Sequence, residues 1–356
     1  MSFFSSWGRK KSYLGVDIGT ASIKMVELEA GANRTPRLVT YGRAENTKDF
    51  TKVDSEQDIG RIVATIKEVA KRANIKAKRT VSALPTFVVF SSVISLPAMS
   101  QKELGSAVAW EARKFVPLPI NEMTLDWKIL NDEQGDKADT NSNNIRVLLT
   151  AAPQNVVKRY LDIFRRAGLD LLSLETEAFA LERSLLGGAK TNVMIVDLGA
   201  VTTDICVIEQ GIPILNRSID VGGFTLTKAI ARSLNIDIKR AEQFKRDIGL
   251  NISHGGGSGS IPQTIETSIG PIINEIKYTF NLYQGQSPHG IEKIILTGGS
   301  SFLPHLTDYL ESIFQLRVYI GDPWARISYP LDMKPILDEI GPQFSSAIGL
   351  AMREII

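Results

Sequence analysis

Tyr13-Leu14-Gly15-Val16-Asp17-Ile18-Gly19-Thr20-Ala21-Ser22-Ile23-Lys24-Met25-Val26 and Val193-Met194-Ile195-Val196-Asp197-Leu198-Gly199-Ala200-Val201-Thr202-Thr203-Asp204-Ile205-Cys206-Val207 follow one plan. Each is an apolar strand ending in Asp-x-Gly, then a small polar turn, then a second strand. The two aspartates stand 180 positions apart, the distance expected of a duplicated architecture. A hairpin of this kind suits a phosphate. Gly and small side chains let backbone N–H groups approach an anion, hydroxyls add donors, and the carboxylate can hold a hydrated Mg²⁺. A single Asp-x-Gly is also ordinary hairpin-turn chemistry. Two copies, facing each other from two lobes, would grip a nucleoside triphosphate.

Further segments support that reading. Leu296-Thr297-Gly298-Gly299-Ser300-Ser301 is a strand entering a Gly-Gly turn before a helix, open to a flat base or sugar. Val221-Gly222-Gly223 opens another helix, where donors and dipole favour an anion. Glu242, Lys245 and Arg246 lie at i, i+3 and i+4 and share one helical face, which also suits plain solvation.

Outward from these hairpins, strands and helices alternate, so an α/β protein is expected. Residues 56–73 and 154–167 carry helical periodicity, Thr80–Leu84 reads as a strand, and 177–187 as a helix leading into the second hairpin. Between Leu84 and Ala152 the run Phe87–Ile94, a helix over Ser100–Phe115, and strands near 124–130 and 145–151 form a strand-helix-strand-strand block. Ser100 with Glu103 predicts a capping box for its helix. The resulting division is 13–84 plus 152–192 as the first core subdomain, 85–151 as an insertion, and 193–235 plus 291–356 as the second core subdomain. Residues 236–290 form a smaller part of the second lobe, and 1–12 a tail.

Composition narrows the function. A net charge of +2, with no Lys/Arg stripe interleaved with aromatics, excludes a nucleic-acid surface. His254, His289 and His305 lack ligand spacing, which gives no zinc or histidine-based site. The one cysteine, Cys206, lies in an apolar strand and reads as core packing in a reduced compartment. No apolar run reaches the roughly 18 residues of a spanning helix. Phe3, Phe4 and Trp7 followed by Arg9, Lys10 and Lys11 reverse the order of a secretory signal and suit at most a weak membrane-surface contact.

The motif order resembles the actin-like ATPase superfamily, whose ribonuclease H-like duplicated fold closes two lobes on a nucleotide. The resemblance covers about residues 13–353. It implies ATP or ADP with Mg²⁺ as cofactors. Gly19, Thr20, Ala21, Ser22 and Lys24 match the first phosphate loop, and Gly199, Thr202 and Thr203 the second. Gly298, Gly299 and Ser300 match the adenosine loop. Glu242, Lys245 and Arg246 resemble the chaperone helix that flanks base and ribose; Gly222 and Gly223, at their helix start, are expected to join the nucleotide site, and Asp17 and Asp197 to hold the metal. Glu177 falls at the water-orienting position, where Ala178 replaces the superfamily's usual Pro, so slow or absent hydrolysis is expected.

The inserted block is similar in place and size to that of the division protein FtsA. Trp110–Pro119 and Gly341–Arg353 resemble signatures of the PilM family of type IV pilus assembly proteins. That family resemblance implies a cytoplasmic adaptor, peripheral at the inner membrane through a PilN/PilO-type complex, with pilus motor ATPases as further partners. It also implies that the N-terminal cytoplasmic peptide of a PilN-type protein binds between core and insertion, within Leu84–Pro119. A filament-forming FtsA-like ATPase and a small-molecule kinase are the competing readings.

Overall fold

A computed structural model describes residues 11–31, 34–45, 55–116, 118–130, 144–250 and 260–356. The aromatic residues near the N-terminus and most of the glycine-rich stretch 254–260 lie outside the described residues. The first half comprises β1 (Ser12–Ile18), β2 (Ser22–Ala30), β3 (Pro36–Glu45), α1 (Glu56–Arg72), β4 (Arg79–Leu84), β5 (Phe90–Pro97), α2 (Gln101–Ala112), β6 (Met123–Leu130), β7 (Asn144–Pro153), α3 (Gln154–Ala167), β8 (Asp170–Thr176) and α4 (Glu177–Leu185). The second comprises β9 (Val193–Leu198), β10 (Thr203–Glu209), β11 (Ile212–Ile219), α5 (Gly223–Leu234), α6 (Ile238–Ile248), α7 (Ser260–Gln286), β12 (Lys293–Thr297), α8 (Leu306–Phe314), β13 (Arg317–Ile320) and α9 (Lys334–Met352).

Two five-stranded sheets have the same order, β3-β2-β1-β4-β8 and β11-β10-β9-β12-β13. In each, an antiparallel three-strand meander is extended by two parallel strands. The strands β1, β9 and β12 are buried on both faces and read as continuous apolar runs, as central strands must. The internal duplication is therefore real at the level of topology. This is the actin-like architecture.

Two helices lie between the sheets and exchange halves. The residues of α4 (Ala178, Leu181, Leu185) pack on the second sheet against Val193, Ile195 and Cys206. The residues of α9 (Leu337, Phe344, Ala347, Ile348, Ala351) pack on the first sheet against Val26, Leu28 and Leu38. The close approach depends on missing side chains. A Cβ at Gly15 would collide with the α9 carbonyl of Ala347, and one at Gly349 with the α4 carbonyl of Ala180. The Arg183 guanidinium adds a fork to Glu175 (2.8 and 3.1 Å) and a bond to Gly349 O at 2.6 Å.

A third sheet, β5-β7-β6, forms with α2 a unit with its own apolar core, including Ile94, Leu104, Val108, Met123, Val147 and Leu149. Its helix begins with the expected capping box, Ser100 N–H donating to Glu103 Oε2 at 3.1 Å.

Two elements differ from expectation. Phe87 and Val88 belong to a 3₁₀ turn (Thr86–Val88), and the strand begins at Phe90 and runs to Pro97. Pro85, at the turn's N-cap, fixes the backbone where the chain leaves β4 and allows a single tight turn before extension resumes. Sequence reading also gave no element over 170–176, where β8 completes the first sheet. Thr176 is the one fully buried residue of that edge strand, so its alternation is too weak to stand out.

Candidate nucleotide site

The site grows from strand register. Along β1 and β2 the pairing sets Asp17 opposite Lys24, and along β9 and β10 it sets Asp197 opposite Asp204. Cross-strand partners share a face, so each hairpin presents two charged side chains together. Lys24 Nζ donates to Asp17 Oδ2 at 2.8 Å. Burial alone would lower the Lys24 ammonium, but Asp17, with Asp197 and Glu177 beyond it, holds it above its ordinary value. The charges of the two hairpins thus lie near enough to act on one another, Asp197 on Lys24 and Asp17 on Asp204.

Three carboxyls there have lost water without gaining a counter-charge of their own. Burial first, then Asp204, pushes Asp197 up to about 7. Burial likewise raises Asp204 to about 6, with the Ser218, Thr202 and Thr86 hydroxyls offsetting it only in part. Its Oδ1 is sealed from solvent and accepts no well-formed hydrogen bond. Glu177 is raised well above the carboxylate range by burial and then by Asp204 and Asp17, against a bond from Thr86. Asp17, Asp197 and Glu177 act on the one ammonium, and Asp204 acts on Asp197 and Glu177. Such a cluster is suited to a bound cation, which would relieve the repulsion.

The residues present fit a hydrated metal better than a bare one. Among the described residues no three His, Cys, Asp or Glu side chains form a ready cage. Mg²⁺ keeps several waters and is held by one or two carboxylates plus phosphate oxygens, which is what Asp17 and Asp197 can supply.

The remaining predicted residues sort by depth. Gly19, Thr20, Ala21 and Ser22 form the first turn, half-buried, closed by Gly19 N–H to Ser22 O at 3.0 Å. In the second lobe three loops are stitched together. Gly223 N–H donates to Gly199 O (3.0 Å), Phe224 N–H to Ala200 O (2.8 Å), and Ser300 N–H to Leu198 O (3.0 Å). Gly298 has φ of +85°, and a Cβ there would collide with Asp197 Oδ1, so only glycine fits beside that carboxylate. Thr202 is buried beside Asp204 (3.5 Å), and Thr203 Oγ1 donates to Val221 O at 2.7 Å, so Thr203 anchors the turn. The amides that open α5 are engaged inside the protein. A Cβ at Gly222 would collide with Ala200 and one at Gly223 with Ser300, so these two glycines let the second-lobe loops pack against one another rather than offering free N–H donors.

The Glu242, Lys245 and Arg246 trio divides. Lys245 is buried and spends its three donors on Gly223 O (3.1 Å), Thr227 Oγ1 (3.0 Å) and Glu242 Oε2 (2.8 Å). Burial lowers its ammonium, while the same contacts, against burial, hold Glu242 below its ordinary value. Arg246 stays exposed and donates to Glu242 Oε1 at 3.0 Å. Lys245→Ala is therefore expected to cost about 1–3 kcal/mol, since it removes a buried donor from Gly223 O and Thr227 while Glu242 keeps Thr227 and Arg246. Arg246→Ala is expected to stay within about 0.5 kcal/mol. Urea unfolding of the two variants checks both.

Sequence reasoning missed Asp204, Thr86 and Pro342. A signal existed for the first: Asp204 follows Asp197 by the same seven positions that separate Lys24 from Asp17. Thr86 donates its hydroxyl to Glu177 Oε2 at 2.6 Å, a pairing across 91 positions with no local signature. The Pro342 carbonyl of α9 accepts from Gly298 N–H (3.0 Å) and Thr297 Oγ1 (3.0 Å), tying that helix to the Gly298–Gly299 turn.

The family model described as "Type IV pilus assembly protein PilM" matches residues 15–355. The chain belongs to the PilM family. A solved PilM–PilN type IV pilus biogenesis complex is similar at 27% identity and a TM-score of 0.80, covering 97% of this chain and 98% of that one. The cell division protein FtsA of Neisseria meningitidis serogroup B is 23% identical over 384 residues, 96% of this chain and 90% of FtsA. FtsA of Pseudomonas aeruginosa is also 23% identical, over 96% of this chain. MreB 5 of Spiroplasma citri, solved with AMPPNP, shares the fold at a TM-score of 0.55 and 13% identity. Among the described residues no helix is long and apolar enough to cross a membrane.

Proposed function

We propose that this protein is a nucleotide-regulated adaptor of the type IV pilus inner-membrane assembly platform, acting on its cytoplasmic side. ATP or ADP with Mg²⁺ is held between the lobes by the residues named above, Asp17 and Asp197 holding the metal. Lobe closure sets the shape of a groove between core and inserted subdomain, within Leu84–Pro119. That groove receives the N-terminal cytoplasmic peptide of a PilN-type partner, and the PilN/PilO-type complex holds the protein at the membrane. Pilus motor ATPases are further candidates for contact.

What supports this reading is that two matching hairpins, one from each five-stranded sheet, lie near enough for Asp17 and Asp197 both to act on the Lys24 ammonium. A ligand binding there engages both lobes at once and favours the conformer it fits best. The bound cation neutralises phosphate and carboxylate charge. The chain's own part is to orient the triphosphate and exclude water.

Glu177 is a weak water-orienting group in this setting. Its Oε2 is occupied by Thr86, and its acidity is suppressed. Purified protein is expected to bind ATP·Mg²⁺ tightly and to release phosphate far below one turnover per second. Phosphate release on the seconds scale that vanishes in Glu177→Ala would overturn that expectation. The adaptor reading itself is tested by titrating a peptide of the partner's N-terminal segment against nucleotide-free and ATP-loaded protein. A change in affinity of at least about fivefold is expected. Absence of binding in both states would end it. The FtsA relatives, aligned over 96% of the chain, favour a second reading as a filament former. ATP-dependent sedimentation at low micromolar protein is its test.

A further inference from the structure

We propose that Thr86 is a positioning residue that fastens the Glu177 carboxylate to the base of the inserted subdomain, so that the state of the nucleotide cleft is transmitted to the partner groove. The inference rests on the adaptor reading for its final step. Thr86 opens the 3₁₀ turn between Pro85 and β5, at the point where the chain leaves the first sheet for the insertion. Its hydroxyl donates to Glu177 Oε2 at 2.6 Å, and its N–H reaches the same oxygen at 3.3 Å. Glu177 is the first residue of α4, the helix that lies on the second sheet.

On its other side Thr86 lines a cavity of about 10 Å³ together with Asp204, Cys206 and Asn216 of the second lobe. Asp204 Oδ1 and Asn216 Oδ1 are buried without a hydrogen-bond partner in that region. A space of this size, edged by unsatisfied acceptors, takes about one water. One hydroxyl therefore stands where three bodies meet: the first sheet, the second lobe and the insertion.

The insertion is tied to the second lobe at its far end as well. Arg146 of β7 donates to Glu209 Oε1 at 3.1 Å, while Glu209 Oε2 accepts from Tyr283 Oη (2.9 Å) and Ser287 Oγ (2.8 Å). Covalently, however, the insertion hangs from the first lobe through Pro85 and Pro153, whose rings fix φ at both exits. Movement of β10 and β11 relative to β4 must carry the insertion along or break these contacts. A nucleotide whose accompanying cation or water engages Glu177 or Asp204 would act on Thr86 directly.

The test uses full-length protein, nucleotide-free and with ATP·Mg²⁺, as wild type, Thr86→Val and Thr86→Ser. Valine keeps the shape and removes the donor; serine restores it. Two readouts are taken. The first is hydrogen exchange across residues 86–97, which needs no partner. ATP is expected to change protection there by about tenfold or more in the wild type and Thr86→Ser, and by less than about twofold in Thr86→Val. The second is the ratio of affinities for a synthetic peptide of the partner's N-terminal segment with and without ATP. It is expected to be at least about fivefold in wild type and Thr86→Ser, and to fall to within about twofold of unity in Thr86→Val. Thr86→Val that keeps the wild-type response in both readouts overturns the proposal. Loss of both responses in Thr86→Ser as well as Thr86→Val also overturns it, because shape rather than the hydroxyl would then be responsible. An exchange response that depends on the hydroxyl, beside a peptide that never binds, upholds the link and instead defeats the adaptor reading.

Discussion

Asp204→Asn is expected to raise the melting temperature of the nucleotide-free protein at pH 8 by a few degrees, with little difference from wild type at pH 4. Asp204 has its folded-state acidity suppressed to about 6, above the ordinary 3.8, because burial and neighbouring carboxylates disfavour its charge. A group raised in this way stabilises the fold only while protonated. The folded state binds the extra proton between about pH 4 and pH 6, and that advantage is lost as pH rises through the window. Above it, the charged side chain sits among Asp197, Glu177 and Asp17 with its Oδ1 unpartnered. Asparagine removes the charge and keeps the shape. A shift of about two units corresponds to about 3 kcal/mol, and coupling with Glu177 leaves about 1–3 kcal/mol as the expected gain. Calorimetry from pH 4 to 8 checks it: parallel curves for the two proteins would contradict the electrostatic account. The gain is also expected to shrink in saturating Mg²⁺ and ATP, since a cation removes the same repulsion in the wild type.

Asp197→Ala is expected to weaken Mg²⁺-dependent ATP binding by about 100-fold, or about 2.7 kcal/mol. Asp197 is the candidate metal carboxylate without its own cation, and it packs against Gly298 in the turn after β12. Asp17→Ala is expected to cost less, about tenfold, because Asp17 already shares its charge with Lys24 at 2.8 Å and the freed ammonium can turn to the phosphates. The comparison is between dissociation constants in Mg²⁺ and in chelator. Unchanged nucleotide occupancy in both variants would defeat the assigned metal roles.

The parts of this molecule that the sequence makes legible are those with local chemistry. Asp17-x-Gly19 and Asp197-x-Gly199 announce the hairpins, because turn residues and flanking apolar strands are contiguous. Ser100 and Glu103 announce α2 for the same reason. Depth and long-range pairing are less visible. The spacing of Glu242, Lys245 and Arg246 fixes a shared helical face. It does not reveal that Lys245 turns inward under α5 while Arg246 remains in water. The missed strand β8 gains its place from parallel pairing with β4, and its own residues are mostly half-exposed. Thr86 becomes informative only once the fold brings Glu177 to it.

The exchange of helices between the sheets has a consequence for biosynthesis. The apolar inner face made by Val26, Leu28 and Leu38 is covered by α9, which begins roughly 300 residues later. At ribosomal rates of about 5–20 residues per second, that face waits about 15–60 s for its cover. The first lobe therefore cannot mature as an independent unit on the ribosome. A chain interrupted before Lys334 leaves a sticky half-sheet, the kind of surface that holdase chaperones and proteases capture.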